Sequence, residues 1–228
     1  FPASLTFYSE MLAAAGLAAV VLGAWQGGEE KDARWPAILA AAGALAAVLA
    51  RVAMIPSLLL VLLWGWRLGT KRTILLSALG GIAAGIVEWL LQNYILRGSA
   101  LATGYEGQTF TTPLLTGLFG MLFSPERGLF VFYPAVLAVF LGWQYLGGRT
   151  RSLVLLASVV TLFSIVFHGR FWTWHGGWTF GPRFLLPAVA LFVPAVAELV
   201  SRHKELGRPL RWFLLLSLLW SGALAYAY

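Results

Sequence analysis

Long uninterrupted apolar runs constrain this chain more than any other feature. A membrane helix needs roughly 18 to 20 consecutive apolar residues, because each adds about 1.5 Å of rise across a hydrocarbon core of about 30 Å. Runs of this kind, some of them short, occupy Leu5–Trp25, Thr73–Leu91, Gly128–Leu146, Ser152–Phe167, Phe184–Val200 and Trp212–Tyr228. A further run, Pro36–Trp66, would reach about 46 Å as one helix. Arg51 and Pro56 interrupt it. It reads as two short helices, Pro36–Leu49 and Ile55–Trp66, turning near Arg51; one long tilted helix is the alternative. With 60% hydrophobic and 11% charged residues, the chain carries more apolar surface than a soluble domain needs. The short alternating segments of a strand barrel are absent. The expected fold is all-α: a polytopic bundle of about eight membrane helices in a single transmembrane domain over residues 1–228.

There is no cysteine, so disulfides, thiolate metal sites and cysteine nucleophiles are excluded. The net charge of +7 is that of a membrane protein with basic cytoplasmic loops, and nothing resembles a nucleic-acid module. With eight helices, eleven Lys and Arg residues fall on one side, in loops 31–34, 67–72, 149–151 and 202–211. The other side holds five: Arg51, Arg97, Arg127, Arg170 and Arg183. The positive-inside rule then puts the two long, aromatic, glycine-rich loops, 92–127 and 168–183, outside the cell membrane. Phe1-Pro2 leads almost directly into an apolar span with no charged leader, so the chain reads as an internal piece of a longer protein.

The densest chemistry lies in FHGRFWTWHGGWTFGPRFLLP, residues 167–187. His168, Arg170, His175 and Arg183 share it with Trp172, Trp174 and Trp178, and it has no carboxylate. Arginine presents a planar fork of donors matched to phosphoryl oxygens. Arg183 with Arg170 and His175 could therefore clamp a phosphate; membrane anchoring by snorkelling is the plainer alternative. The tryptophans fit either an interfacial belt or a platform for the apolar faces of sugar rings. No histidine spacing fits a zinc site, and no metal is expected at these residues.

The loop 98–127 contains a ten-residue apolar segment, Leu114–Phe123, too short to cross a bilayer and therefore interfacial or re-entrant. Ser124-Pro125-Glu126-Arg127 follows it as a turn or helix start, with Arg127 a second candidate phosphate ligand. Two carboxylates lie inside apolar runs. Glu10 and Arg51 form a plausible intramembrane pair, and Glu88 reaches the outer interface beside Gln92 and Asn93. Glu198 sits near the cytoplasmic end and reads as solvated.

Five segments together resemble the GT-C superfamily of polyprenyl-phosphate-sugar-dependent membrane glycosyltransferases, the group that includes protein O-mannosyltransferase-like enzymes. They are LTFYSEMLAAAGL (5–17), the Arg51 segment ending at Pro56, QNYILRGSALATGY (92–105), TTPLLTGLFGMLFSPERGLFVFYPAVL (111–137) and WTWHGGWTFGPRFLLPAVAL (172–191). The resemblance implies transfer of a sugar from a polyprenyl phosphate to an acceptor on the outer face. It implies that Arg127, Arg170, Arg183 and His175 hold the lipid phosphate, and that Tyr105, Trp172, Trp174 and Trp178 shape the sugar or lipid pocket. Glu10 and Arg51 become structural partners. Such enzymes carry a carboxylate base in an outer loop after the first membrane helix. No such acidic pair occurs here; Glu106 and Glu126 are the only carboxylates of the outer loops. Sugar, acceptor and any cofactor stay open. The competing expectations are a transporter or flippase of a lipid-linked saccharide, and a non-catalytic membrane subunit.

Overall fold

The computed structural model describes residues 4–27, 32–102, 109–176 and 181–227, and every regular element among them is helical. Eleven α-helices follow in order: α1 Ser4–Gln26, α2 Arg34–Ala50, α3 Ile55–Arg67, α4 Arg72–Arg97, α5 Leu114–Phe123, α6 Leu129–Phe132, α7 Ala135–Leu141, α8 Gly148–Gly169, α9 Leu186–Ala190, α10 Val193–Ser201 and α11 Arg208–Ala227. They gather into two compact units, Phe1–Gln108 and Thr109–Tyr228.

In the first unit, small residues let backbones touch. Between apolar helices in lipid, close packing replaces the hydrophobic drive that works in water. A Cβ on Gly16 of α1 would stand 2.6 Å from the Gly43 carbonyl oxygen of α2, and one on Gly43 would stand 2.7 Å from the Gly16 carbonyl. On the other side of α2, Gly81 of α4 lies against the Ala41 main chain, and Gly85 lies against the Val48 side chain. The break after α2 falls at Arg51, whose backbone is extended (φ −159°, ψ 114°). A short 3-10 turn, Val52–Met54, leads to α3, where Pro56 occupies the first turn and needs no N–H partner there. The expected span ending near Leu91 continues to Arg97. Two side-chain pairs four residues apart, Gln92 to Glu88 (3.1 Å) and Arg97 to Asn93 (2.8 Å), carry the helix through its polar tail. Gly98 then closes it in the left-handed conformation (φ 74°).

In the second unit, α8 is the longest helix, and its neighbours are broken. The expected span Gly128–Leu146 is not one helix but α6, α7 and a 3-10 turn, Trp143–Tyr145. Pro134 removes a backbone donor and splits it. From α11, Trp220 Nε1 donates to the Val131 carbonyl and Ser221 Oγ donates to the Phe132 carbonyl, both at 2.7 Å, so the freed acceptors of the break stay satisfied. The expected span Phe184–Val200 is likewise α9 and α10, bent by 52°, each with a proline (Pro187, Pro194) in its first turn. Glu198 is not merely solvated: its Oε1 accepts from the Gly147 N–H (2.8 Å), the N-cap of α8, and pairs with Arg202 at 3.1 Å. A carboxylate suits the positive end of a helix dipole.

Three helical segments among the described residues are long and apolar enough to cross a bilayer: Ser9–Gln26, Arg72–Arg97 and Gly148–Gly169. The bent pair of α9 and α10 makes a fourth if it is one span. This is a membrane protein, but the expectation of about eight spans does not hold. The helices α2 and α3, with 17 and 13 residues, fall below the required length, proline divides two more of the expected spans, and α11 is not among the three segments; α5, with 10 residues, is short as expected.

Candidate functional site

Three segments of the second unit meet at the C-terminal end of α8. The first is the turn Ser124–Gly128, where the Arg127 and Gly128 N–H groups both donate to the Ser124 carbonyl (3.2 and 2.6 Å). The Ser124 hydroxyl does not cap the helix that follows; its main chain closes the turn, and Arg127 projects from it. The second is the irregular stretch Phe171–Gly176, tightened by Trp174 N–H to Phe171 O (3.0 Å) and Gly176 N–H to Thr173 O (2.8 Å). The third is Gly181-Pro182-Arg183, which opens a 3-10 turn ahead of α9. The Gly181 N–H donates to the Glu126 carbonyl (2.9 Å) and so ties the third segment to the first.

Helix α5 carries the floor. Gly117 lies against the Gly169 main chain, and Gly120 lies against the Trp174 indole, with no room for a Cβ at either place. The apolar cluster Met121, Leu129, Ile165, Leu185 and Val189 sits beneath, flanked by Trp174 and Phe184. Phe184 stacks on buried His168, with ring centroids 4.6 Å apart and planes 9° apart. His168 Nδ1 lies 3.0 Å from the Ser164 carbonyl oxygen. The Thr112 N–H donates to Arg170 O (3.1 Å), the Thr112 hydroxyl donates to Phe171 O (2.9 Å), and the Trp172 N–H donates to Thr109 O (3.0 Å). These bonds fix the start of the Phe171–Gly176 stretch.

Arg127 and Arg183 line one hollow with Met121, Trp174, His175, Gly181, Pro182 and Phe184. No carboxylate is among these residues. Both guanidiniums reach the same strand of main chain: Arg127 Nη1 donates to the His175 carbonyl, and Arg183 Nη1 donates to the Gly176 carbonyl at 3.3 Å. Arg183 also lies 5.8 Å from the centre of the Phe184 ring. The hollow measures about 10 Å³, the room of about one water.

Of the residues singled out from sequence, Arg127, Arg183, His175 and Trp174 thus come together. Arg170 and Trp172 are exposed and do not line the hollow. Arg170 contributes its carbonyl to the Thr112 bond. Tyr105 and Trp178 lie outside the described residues, as does Glu106. Glu10 and Arg51 form an ion pair at 2.6 Å in the first unit, with Glu10 buried and Arg51 partly so. Among the described residues, no three His, Asp or Glu side chains gather as metal ligands would. The sequence reading missed Gly117, Gly120 and Phe184 as builders of the site. Their signal was a glycine pair three residues apart on a short apolar helix, a spacing that permits close approach along one face.

Comparison of the chain with protein-family models, with curated proteins and with solved structures yields no match.

Proposed function

We propose that this membrane protein is a GT-C-like glycosyltransferase that moves a sugar from a polyprenyl-phosphate donor to an acceptor on the extracytoplasmic face. The observation that carries the proposal is the convergence of Arg127 and Arg183, 56 positions apart in sequence, on one hollow whose described lining holds no carboxylate, above an apolar floor. As the glycosidic bond to the lipid phosphate breaks, negative charge gathers on the departing phosphate. Two guanidiniums aimed at that charge favour the transition state over the ground state. The lipid chain finds apolar surface at Met121 and Phe184, and Trp174 offers an indole face to the sugar. The acceptor's general base is not among the lining residues.

The outer placement of the site is supported by charge within the second unit. The N-terminal end of α8 carries Arg149 and Arg151, with Arg202 close by through Glu198. Lys204, Arg208 and Arg211 follow Arg202 up to the first turn of α11, which makes six basic residues against Arg127, Arg170 and Arg183 at the other end. That bias supports a hollow on the side opposite the basic face.

The test is sugar transfer from a polyprenyl-phosphate sugar by the protein in liposomes. Replacing Arg183 by Ala is expected to lower turnover by about 100-fold, as removal of a preorganised charge-stabilising donor does. Lys at the same position is expected to restore part of it, because the charge returns without the fork. Unchanged turnover in a normally inserted Arg183→Ala variant would assign Arg183 to membrane anchoring.

A further inference from the structure

We infer that the turn Thr173–Gly176 is a plug for the phosphate position, and that it withdraws when a polyprenyl phosphate binds; this rests on the phosphate-binding role proposed above. Two successive main-chain carbonyls, of His175 and Gly176, accept from the two guanidiniums that line the hollow. They stand where two oxygens of a phosphate would be gripped. A hollow of about 10 Å³ admits a water and not a phosphate. Binding therefore requires the carbonyls and the headgroup to exchange places. A phosphate wins that exchange and a neutral headgroup does not, because a phosphate adds ionic attraction to each guanidinium that a carbonyl oxygen lacks.

The turn is built to move as a piece. Its start is fastened by the Thr109 and Thr112 bonds to Trp172, Arg170 and Phe171. Beyond that, among the described residues, the Trp174 indole packs against Gly120 and the apolar cluster, and the carbonyls accept from the arginines. Gly176 sits at φ +75°, a left-handed conformation that strains any residue with a Cβ. Neither Gly120 nor Gly176 has a side chain to lose, so both positions can loosen the plug while leaving the arginine side chains in place.

The experiment measures the apparent Kd of a polyprenyl phosphate for the intact protein in nanodiscs, with polyprenol and inorganic phosphate as companion probes. Gly120→Ala pushes Trp174 off its seat, and Gly176→Ala strains the closed turn. Each is expected to tighten polyprenyl phosphate binding about five- to tenfold, while Arg127→Ala and Arg183→Ala weaken it and polyprenol stays unmoved. The same gain for inorganic phosphate, at its own weaker affinity, assigns recognition to the headgroup alone; a gain confined to the lipid assigns the ligand to the membrane. If both glycine variants bind no tighter while the arginine variants bind less, the plug is wrong and the phosphate site stands. If the arginine variants bind as wild type does, the phosphate site itself fails and the plug with it.

Discussion

Arg51 and Glu10 show what a single charged pair does inside an apolar bundle. Glu10 is 1% exposed and Arg51 18%, and they meet at 2.6 Å. Neither charge could stay ionised there alone at small cost, so each residue fixes the other's place. Replacing Glu10 by Ala takes the buried carboxylate away from a partly buried guanidinium, and about 3 to 5 kcal/mol of stability is expected to go. The simultaneous change of Glu10 and Arg51 to Leu and Met is expected to cost far less; thermal unfolding in detergent compares the two. The pair was legible in the sequence because each charge interrupts an apolar run and the topology brings the two to one level. Arg127 and Arg183 were legible by the same logic, as guanidiniums at the ends of apolar segments. Arg170 was not separable from them: its chemistry is identical, and only the Thr112 bond to its carbonyl shows the main chain turning it out of the hollow. Sequence carries the type of a side chain but not the direction in which a loop points it.

At the scale of elements, glycines decide which helix faces touch, and adjacent positions on α4 separate packing from propensity. A Cβ at Gly81 would collide with the Ala41 main chain, whereas a Cβ at Gly80 meets nothing within 4 Å. Gly81→Ala is therefore expected to push α2 and α4 apart and to lower the unfolding temperature clearly. Gly80→Ala is expected to be neutral or to stabilise by up to about 1 kcal/mol, since alanine is the better helix former. Similar destabilisation in both would contradict this packing. Glu198 tests an element end: Glu198→Ala removes the carboxylate at the start of α8 and is expected to cost about 1 kcal/mol. The helices α1, α2 and α3 could be read from the sequence because apolar length, Arg51 and Pro56 mark their limits. The breaks in α6–α7 and α9–α10 were hidden by hydropathy, which averages over prolines. Pro134, Pro187 and Pro194 were visible, but whether a proline kinks a helix or ends it depends on what satisfies the freed carbonyls. At Pro134 the answer comes from Trp220 and Ser221, 89 positions away from the acceptors they serve.

For the whole molecule, the absence of cysteine makes orientation directly measurable. Single cysteines at exposed Thr111 and exposed Lys204, at the two ends of α8 in the second unit, are expected to react with a membrane-impermeant maleimide from opposite sides, Thr111 from outside as the proposed placement of the hollow requires. All-α architecture and membrane residence followed from composition and run length. The number of crossings did not, because short and broken helices share the composition of spanning ones. The site's location was legible as a cluster of cations and indoles at an apolar boundary, while its closure by the main chain of His175 and Gly176 was not. The most direct measurement is a double-mutant cycle on polyprenyl phosphate affinity with Arg127→Ala, Arg183→Ala and the pair. If one headgroup is gripped by both guanidiniums, each single change weakens binding about tenfold or more, and the double change weakens it by less than the product of the two. Wild-type affinity in either single variant would contradict a shared grip.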